Sequence, residues 1–149
     1  MTGSAGRLAA ILESVPARLG AIPEAEAGHR PAPGRWSRKE ILGHLIDSAA
    51  NNHQRIVRAR LTPRLDFPGY EQESWVASQS YASEPWRDLV ELWVTLNRHL
   101  LHIIRAVPEA ALAHQCVIGG KPPVTLAALI DGYRQHLEHH LDQLFTERT

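Results

Sequence analysis

The stretch "WSRKEILGHLIDSAANNHQRIVRARLTP", residues 36–63, carries the clearest helical signal of the chain. Ser37 is followed three residues later by Glu40, which is the spacing of a capping box at the start of a helix. After this start, apolar residues recur with helical spacing at Ile41, Leu45, Ile46, Ala49 and Ile56. The pattern predicts a long amphipathic helix that begins at Ser37 and ends at about Leu61, before a proline.

Three other segments show the same periodicity. One covers about residues 4–20, and a second is expected to follow a cap at Ser83 and to end at Pro108. The last begins after Thr125, a good capping residue, and runs to about Glu147. Because strand signals are nearly absent, the sequence predicts an all-α fold, an up-down-up-down four-helix bundle, as one domain over residues 1–149.

Two connections between these helices stand out. Residues 62–83 form a long connection between the second and third helices, and part of it, "EQESWVASQ", has the pattern of a short helical turn. Long connections are uncommon and often functional. Its aromatic residues Tyr70, Trp75 and Tyr81 could wall a substrate pocket or close the bundle as a lid. Residues 107–124 are compatible with either a small hairpin or an irregular loop.

The overall composition excludes several classes of protein. The formal net charge is zero, with 16 Lys plus Arg and 16 Asp plus Glu, so a nucleic-acid partner is not indicated. Arg55, Arg58 and Arg60 are interpreted as the solvated end of a helix rather than as a phosphate site. Neither a membrane span nor a signal peptide is evident, which predicts a soluble, cytoplasmic protein.

A single cysteine, Cys116, is present. It excludes an intrachain disulfide and a cysteine-based zinc site. With no recognisable catalytic partner beside it, we interpret Cys116 as a structural thiol.

Three of the nine histidines lie in "QHLEHHLDQ", residues 135–143. Helical phase places His136 and His140 beside the apolar stripe of the last helix, and it places His139 in a row of polar residues. We therefore expect His136 and His140 to face inward, while His136 with His139 remains an alternative pair. Two imidazoles one turn apart can bind a divalent ion, but a catalytic site commonly has three protein ligands.

A third ligand would have to come from elsewhere in the chain. The second helix offers His44, which shares an inner row with Ser48 and is followed by Asp47, a carboxylate that could orient a ligand histidine. Helical spacing alone does not choose among the histidines outside the last helix: His29, His44, His53, His99, His102 and His114.

Together, "GRWSRKEILGHLIDSAANN" and "YRQHLEHHLDQL" resemble the DinB/YfiT-like superfamily over about residues 33–145. The shared features are a Trp-Ser helix start, a Gly-His-Leu-x-Asp segment and a late His-x-x-x-His pair. They stand here at Trp36, Ser37, Gly43, His44, Leu45, Asp47, His136 and His140. The resemblance implies a four-helix bundle whose metal ligands are His44, His136 and His140, a zinc or nickel ion, and possible homodimers.

The same resemblance implies two kinds of enzyme. Some members are S-transferases that use bacillithiol, mycothiol or glutathione, and others are described as metal-dependent hydrolases. Three neutral histidines leave a divalent ion with its full charge, which would acidify a thiol or a water. We expect a thiol S-transferase acting on small electrophiles, with a hydrolase or a non-enzymatic, stress-related metal-binding protein as alternatives.

Candidate acid–base residues follow from position alone. Asp47, Tyr70 and Glu71 lie where a general acid or base could assist either reaction. A fourth protein ligand, such as His53 or Asp47, would instead favour a structural metal, because structural zinc usually has four protein ligands.

Overall fold

The protein is described by a computed structural model over residues 2–146. Its helices are α1 Thr2–Gly20, α2 Glu24–Ala27, α3 Arg38–Arg60, α4 Gln72–Ser78, α5 Trp86–Arg105 and α6 Leu126–Phe145. Its strands are β1 Arg64–Phe67, β2 Gln115–Ile118 and β3 Val124–Thr125, and two 3₁₀ turns lie at Tyr81–Ser83 and Glu109–Ala113. None of the described helices is both long enough and apolar enough to cross a membrane.

The four long helices α1, α3, α5 and α6 pack around one apolar core, which confirms the predicted four-helix bundle. Each contributes a stripe of buried apolar residues. Fully buried members include Leu8, Leu19, Ile41, Leu45, Leu89, Leu100, Ile130 and Leu137. The short helix predicted inside the long connection is also present, as α4.

The directions of the four helices differ from the predicted alternation. Helix α6 runs antiparallel to α3, because Arg38 at the start of α3 donates to the carbonyl of Leu144 near the end of α6. It runs parallel to α1, because Ser4 binds Asp131 near the beginning of α6, while Arg18 stacks on Phe145 at its end.

Helix α5 begins at the same end of the bundle as α3. At this end, Lys39 of α3 pairs with Glu24, which also accepts the backbone N–H of Trp86, the first residue of α5. Farther along both helices, the rings of His53 and His99 lie 5.3 Å apart. The helices α3 and α5 are therefore parallel, and the order of directions is up-down-down-up. The long connection makes this possible, because residues 61–85 can return along the bundle before α5 begins.

A small three-stranded sheet accompanies the helical bundle. Strand β2 pairs in parallel with β1, from Arg64 opposite Gln115 to Phe67 opposite Ile118, and antiparallel with β3. Residues 107–124 therefore contain one arm of a hairpin, whose turn includes Gly119 and Gly120 at positive φ. Strands of two to four residues are too short to show the alternation of polar and apolar residues that identifies a strand in a sequence.

Helix starts follow local chemistry in two of three predicted cases. Ser37 and Glu40 form the complete capping box, and Thr125 accepts the backbone N–H of Ala128. The predicted cap at Ser83 is wrong: this residue lies in a 3₁₀ turn, and α5 begins after Pro85. Helix α6 ends at Phe145, and the end predicted at Glu147 lies outside the described residues.

The glycine before His44 has a packing role. A Cβ atom on Gly43 would lie 2.2 Å from the ring of Tyr81, far inside van der Waals contact. Only glycine lets this ring lie flat against α3. Gly43 thus allows a close contact with the 3₁₀ turn, and the next residue, His44, points its side chain toward α6.

Candidate metal centre

Three imidazoles from two helices meet inside the bundle. His44 of α3 and the pair His136 and His140 of α6 each offer a nitrogen, and these nitrogens all lie within 4.8 Å of one another. The Nε2 atoms of His44 and His136 are 3.1 Å apart. His44 is fully buried and the other two are partly buried, whereas His139 is exposed, as helical phase predicted.

Polar groups lie beside the Nδ1 atoms of both α6 histidines, and one of them favours a single tautomer of His140. The Nδ1 of His140 lies 2.8 Å from the Oε1 of Gln143, an acceptor, so Nδ1 carries the proton and Nε2 keeps its lone pair. The Nδ1 of His136 lies 3.5 Å from the hydroxyl of Ser48. Partners of this kind orient imidazoles that bind metals.

The position of His44 leaves one polar atom without a partner. Its ring lies against that of Trp36, with centroids 5.2 Å apart. Its Nδ1 atom is buried and forms no hydrogen bond. Such an atom is unusual in a folded protein, because buried polar groups usually have a partner.

All three histidines are held in the neutral form. Burial, together with the neighbouring His140 and His136, lowers the pKa of His44 to about 3. Burial and the neighbouring His140 and His139 lower the pKa of His136 to about 4. Burial also lowers the pKa of His140, against the opposing effect of Gln143. At neutral pH the cluster therefore presents unprotonated nitrogens, the form that binds metals.

The donor set fits one divalent transition-metal ion. With zinc–nitrogen distances of about 2.0–2.1 Å, two ligands of a tetrahedral ion lie roughly 3.3 Å apart, close to the 3.1 Å between His44 and His136. Within residues 2–146, no fourth His, Cys, Asp or Glu joins the group. His53 and Asp47, the possible fourth ligands, are thus not part of it.

An open cavity of about 1030 Å³ lies beside the cluster. His136 and Ser48 form part of its wall, and the cavity extends between α3, α6 and the small sheet. Tyr70, Glu71 and Tyr133 also line it. Of the three histidines, His136 therefore borders a space that can hold a small molecule.

The family of the chain follows from comparison with known proteins. The sequence profile of the DinB superfamily matches residues 7–144. The chain belongs to the DinB superfamily. A relative from Oceanobacillus iheyensis, provisionally named a metal-dependent hydrolase, is 24% identical over 108 residues. That match covers 72% of this chain and only 62% of the length of the relative.

Solved structures support the fold of this DinB protein. YfiT from Bacillus subtilis, described as a probable metal-dependent hydrolase with an unusual four-helix bundle topology, matches with a TM-score of 0.74 at 19% identity. That match covers 94% of this chain and 83% of YfiT. The mycothiol-dependent maleylpyruvate isomerase matches with a TM-score of 0.72 at 15% identity, covering 94% of this chain and 59% of the isomerase.

The aromatic residues of the long connection divide between the two roles left open by the sequence. Tyr70 lines the cavity, and its ring packs against that of Trp75, which is 39% exposed. Tyr81 is buried and does not line the cavity. Tyr133 of α6 also borders the cavity, one turn before His136, although its ring is buried and its hydroxyl donates to Asn97.

Asp47 lies in a closed polar cluster, separate from the histidines. Its Oδ1 accepts hydrogen bonds from the hydroxyl of Tyr81 at 2.6 Å and from the Nε2 of Gln79 at 2.7 Å. Burial raises the pKa of this carboxyl, and the two hydrogen bonds oppose the rise. No hydrogen bond of the described residues joins Asp47 to a histidine, so the expected orienting contact is not formed.

Two residues of the site were not predicted from the sequence: Gln143, which contacts His140, and Arg55, which lines the cavity. Gln143 lies three residues after His140 in a helix, a spacing at which side chains meet. Arg55 was interpreted as part of a solvated helix end, yet it is partly buried and lines the cavity. Arg55 follows His44 by eleven residues, which is close to three full helical turns, and this spacing could have identified it. Cys116 is buried in the same wall.

Proposed function

We propose that this DinB protein is a metal-dependent enzyme in which His44, His136 and His140 bind one divalent ion, with zinc or nickel as the expected metals. The observation that carries the proposal is the meeting of three neutral imidazoles beside an open cavity, without a fourth protein ligand among residues 2–146. A structural site would usually be closed by a fourth ligand, whereas a catalytic one keeps a position open.

We further propose that the reaction is the transfer of a low-molecular-weight thiol to a small electrophile. A bound divalent ion would supply the positive charge that favours the ionised form of a thiol. The protein contributes the three neutral nitrogens, the buried setting of His44 and a cavity large enough for two small reactants. The structural likeness to a mycothiol-dependent isomerase is consistent with this proposal, although at 15% identity it concerns the fold alone.

A metal-dependent hydrolase is the second candidate. The cavity wall that includes His136 also carries Tyr70 and Glu71, and hydrolysis by activated water needs a nearby general acid or base. Glu71 is an exposed carboxylate, whereas burial raises the pKa of the Tyr70 hydroxyl, which makes Glu71 the better base of the two. We propose that Asp47, a predicted catalytic residue that does not line the cavity, instead supports the 3₁₀ turn through Tyr81.

A panel of thiols tests the transferase proposal. Purified protein is incubated with bacillithiol, mycothiol or glutathione and the electrophile monochlorobimane, and fluorescence of the conjugate is followed. We expect conjugation with at least one thiol, lost on chelation and restored by adding back zinc or nickel. His139→Ala is the matched control for His140→Ala, because it removes an exposed imidazole from the same helix.

Other outcomes of the panel would redirect the assignment. Metal-dependent hydrolysis of 4-nitrophenyl acetate, without conjugation to any thiol, would replace the transferase by the hydrolase. If neither reaction depends on metal, the results favour a non-enzymatic metal-binding protein. We also propose a cytoplasmic location and a homodimer, which cell fractionation and light scattering on a sizing column would check.

A further inference from the structure

Arg55 lies on the same row of α3 as His44 and Ser48. Ser48, which contacts His136, precedes Arg55 by seven residues, so their Cα atoms are about 10 Å apart along the helix axis. Both side chains line the cavity. On the α3 wall of the cavity, Arg55 thus lies about two helical turns from Ser48, the residue that contacts the imidazole of His136.

The charge of Arg55 is not neutralised within the protein. Among residues 2–146 it forms no ion pair, and its Nε atom is buried without a hydrogen-bond partner. Its guanidinium lies 5.8 Å from the ring centres of both Phe67 and Tyr70. An arginine that is partly desolvated without a carboxylate partner is costly, because its charge has lost water and gained little in exchange.

Few other charges face Arg55. Tyr70 and Cys116 are the groups whose electrostatic effect reaches it, and burial lowers its pKa, although arginine stays protonated at neutral pH. Lys121 adds a second cation to the cavity wall, and Glu71 is the single carboxylate among the described lining residues. Glu71 and Lys121 are both exposed, whereas Arg55 is partly buried. The interior of the cavity is therefore electropositive because of Arg55.

The rest of the wall is largely apolar. Ile118 from the small sheet and Leu129 and Tyr133 from α6 lie across the cavity from α3. A pocket of this kind selects molecules with an apolar body and a few polar groups that fix orientation.

We propose that Arg55 binds the carboxylate of a small molecule with an apolar body and directs its other end toward the three histidines. This assignment rests on the proposed function, since it names the substrate class of the same site. Guanidinium and carboxylate match in shape and can form two parallel hydrogen bonds. The carboxylate can belong to the electrophile or to the thiol, and the same arginine would recognise either.

Calorimetric titration with a matched pair of ligands tests the proposal without any reaction. The probes are 4-phenylbutyrate and its neutral amide, 4-phenylbutyramide. We expect the purified protein to prefer the carboxylate, and Arg55→Gln to weaken carboxylate binding about tenfold or more while leaving the amide unchanged. Arg55→Lys should retain part of the affinity. Arg98→Gln, which removes an exposed charge from α5, is the control and should bind as the wild type does.

Two further arms identify the source of the carboxylate and separate this proposal from the metal. A pair of thiols, 3-mercaptopropionate and neutral 2-mercaptoethanol, shows whether dependence on Arg55 extends to the thiol reactant. Chelated protein should still bind 4-phenylbutyrate through Arg55, even if no reaction is ever found. Equal binding of acid and amide, or equal losses in Arg55→Gln and Arg98→Gln, would overturn the proposal. Binding that disappears on chelation but is unchanged in Arg55→Gln would also overturn the proposal, because the ion would then hold the carboxylate.

Discussion

Two sets of buried polar residues on helix α3 differ in what surrounds them. Asp47 is held within the protein, because its Oδ1 accepts hydrogen bonds from Tyr81 and Gln79, although its Oδ2 has no partner, and it does not line the cavity beside the histidines. His44 and Arg55 have buried nitrogens without partners; His44 belongs to the cluster of imidazoles, and Arg55 lines the cavity. We call the Asp47 set the closed side of α3 and the set of His44 and Arg55 the open side. Polar groups that bond to one another stabilise a fold, whereas unsatisfied groups beside open space are available to a ligand.

The closed side should carry the larger effect on stability. Tyr81→Phe keeps the ring that packs on Gly43 but removes the hydroxyl that donates to buried Asp47. We expect a loss of about 2–3 kcal/mol in the free energy of unfolding, measured by urea denaturation, with unchanged metal content. Tyr70→Phe, at the cavity wall, is the matched control and should change stability little. Metal loss in Tyr81→Phe would show that the two sides are not independent.

The open side should make the metal-free protein sensitive to acid. The pKa of His44 is lowered in the folded state to about 3, while its unfolded value is 6.5. The unfolded chain therefore binds a proton first, so the stabilisation is complete above pH 6.5 and is lost as the pH falls toward 3. Between pH 7 and pH 5 this amounts to about 2 kcal/mol for His44.

Urea unfolding of chelated protein at the two pH values measures this loss, and His44→Gln is the comparison. The variant should show a smaller decrease between pH 7 and pH 5 than the wild type. If both proteins lose stability equally, the imidazole of His44 is not held neutral by the fold.

A smaller effect is expected from the residue that orients His140. Gln143→Ala removes the acceptor at Nδ1 while leaving the three proposed metal ligands in place. We expect metal affinity to fall about tenfold, measured by competition with a chromophoric chelator. Gln135→Ala, on the exposed part of the same helix, is the control. An unchanged affinity in Gln143→Ala would mean that packing alone fixes the ring of His140.

The residues that could be predicted from the sequence are those whose signal is local. The capping box at Ser37 and Glu40 and the inward phase of His136 and His140 depend on neighbours within one helical turn. The third proposed ligand, His44, has no such local signal. Spacing left it among several histidines, and only the family resemblance selected it. Its position beside His136 depends on how α3 and α6 pack, which no local pattern records.

The features that could not be predicted depend on distant parts of the chain. Strands β1 and β2 are separated by almost fifty residues, and each is too short to show alternation. The parallel course of α3 and α5 depends on the path of residues 61–85. Arg55 looked like a solvated residue because the side chains that bury it come from the long connection and the small sheet.

The most direct test of the central claim is the metal content of four purified proteins, measured by elemental analysis. The wild type and His139→Ala should each carry about one divalent ion per chain, while His44→Ala and His140→Ala should lose most of it, since each lacks one of three ligands. Circular dichroism would confirm that the variants remain folded. Full metal content in both His44→Ala and His140→Ala would contradict the assignment of the site.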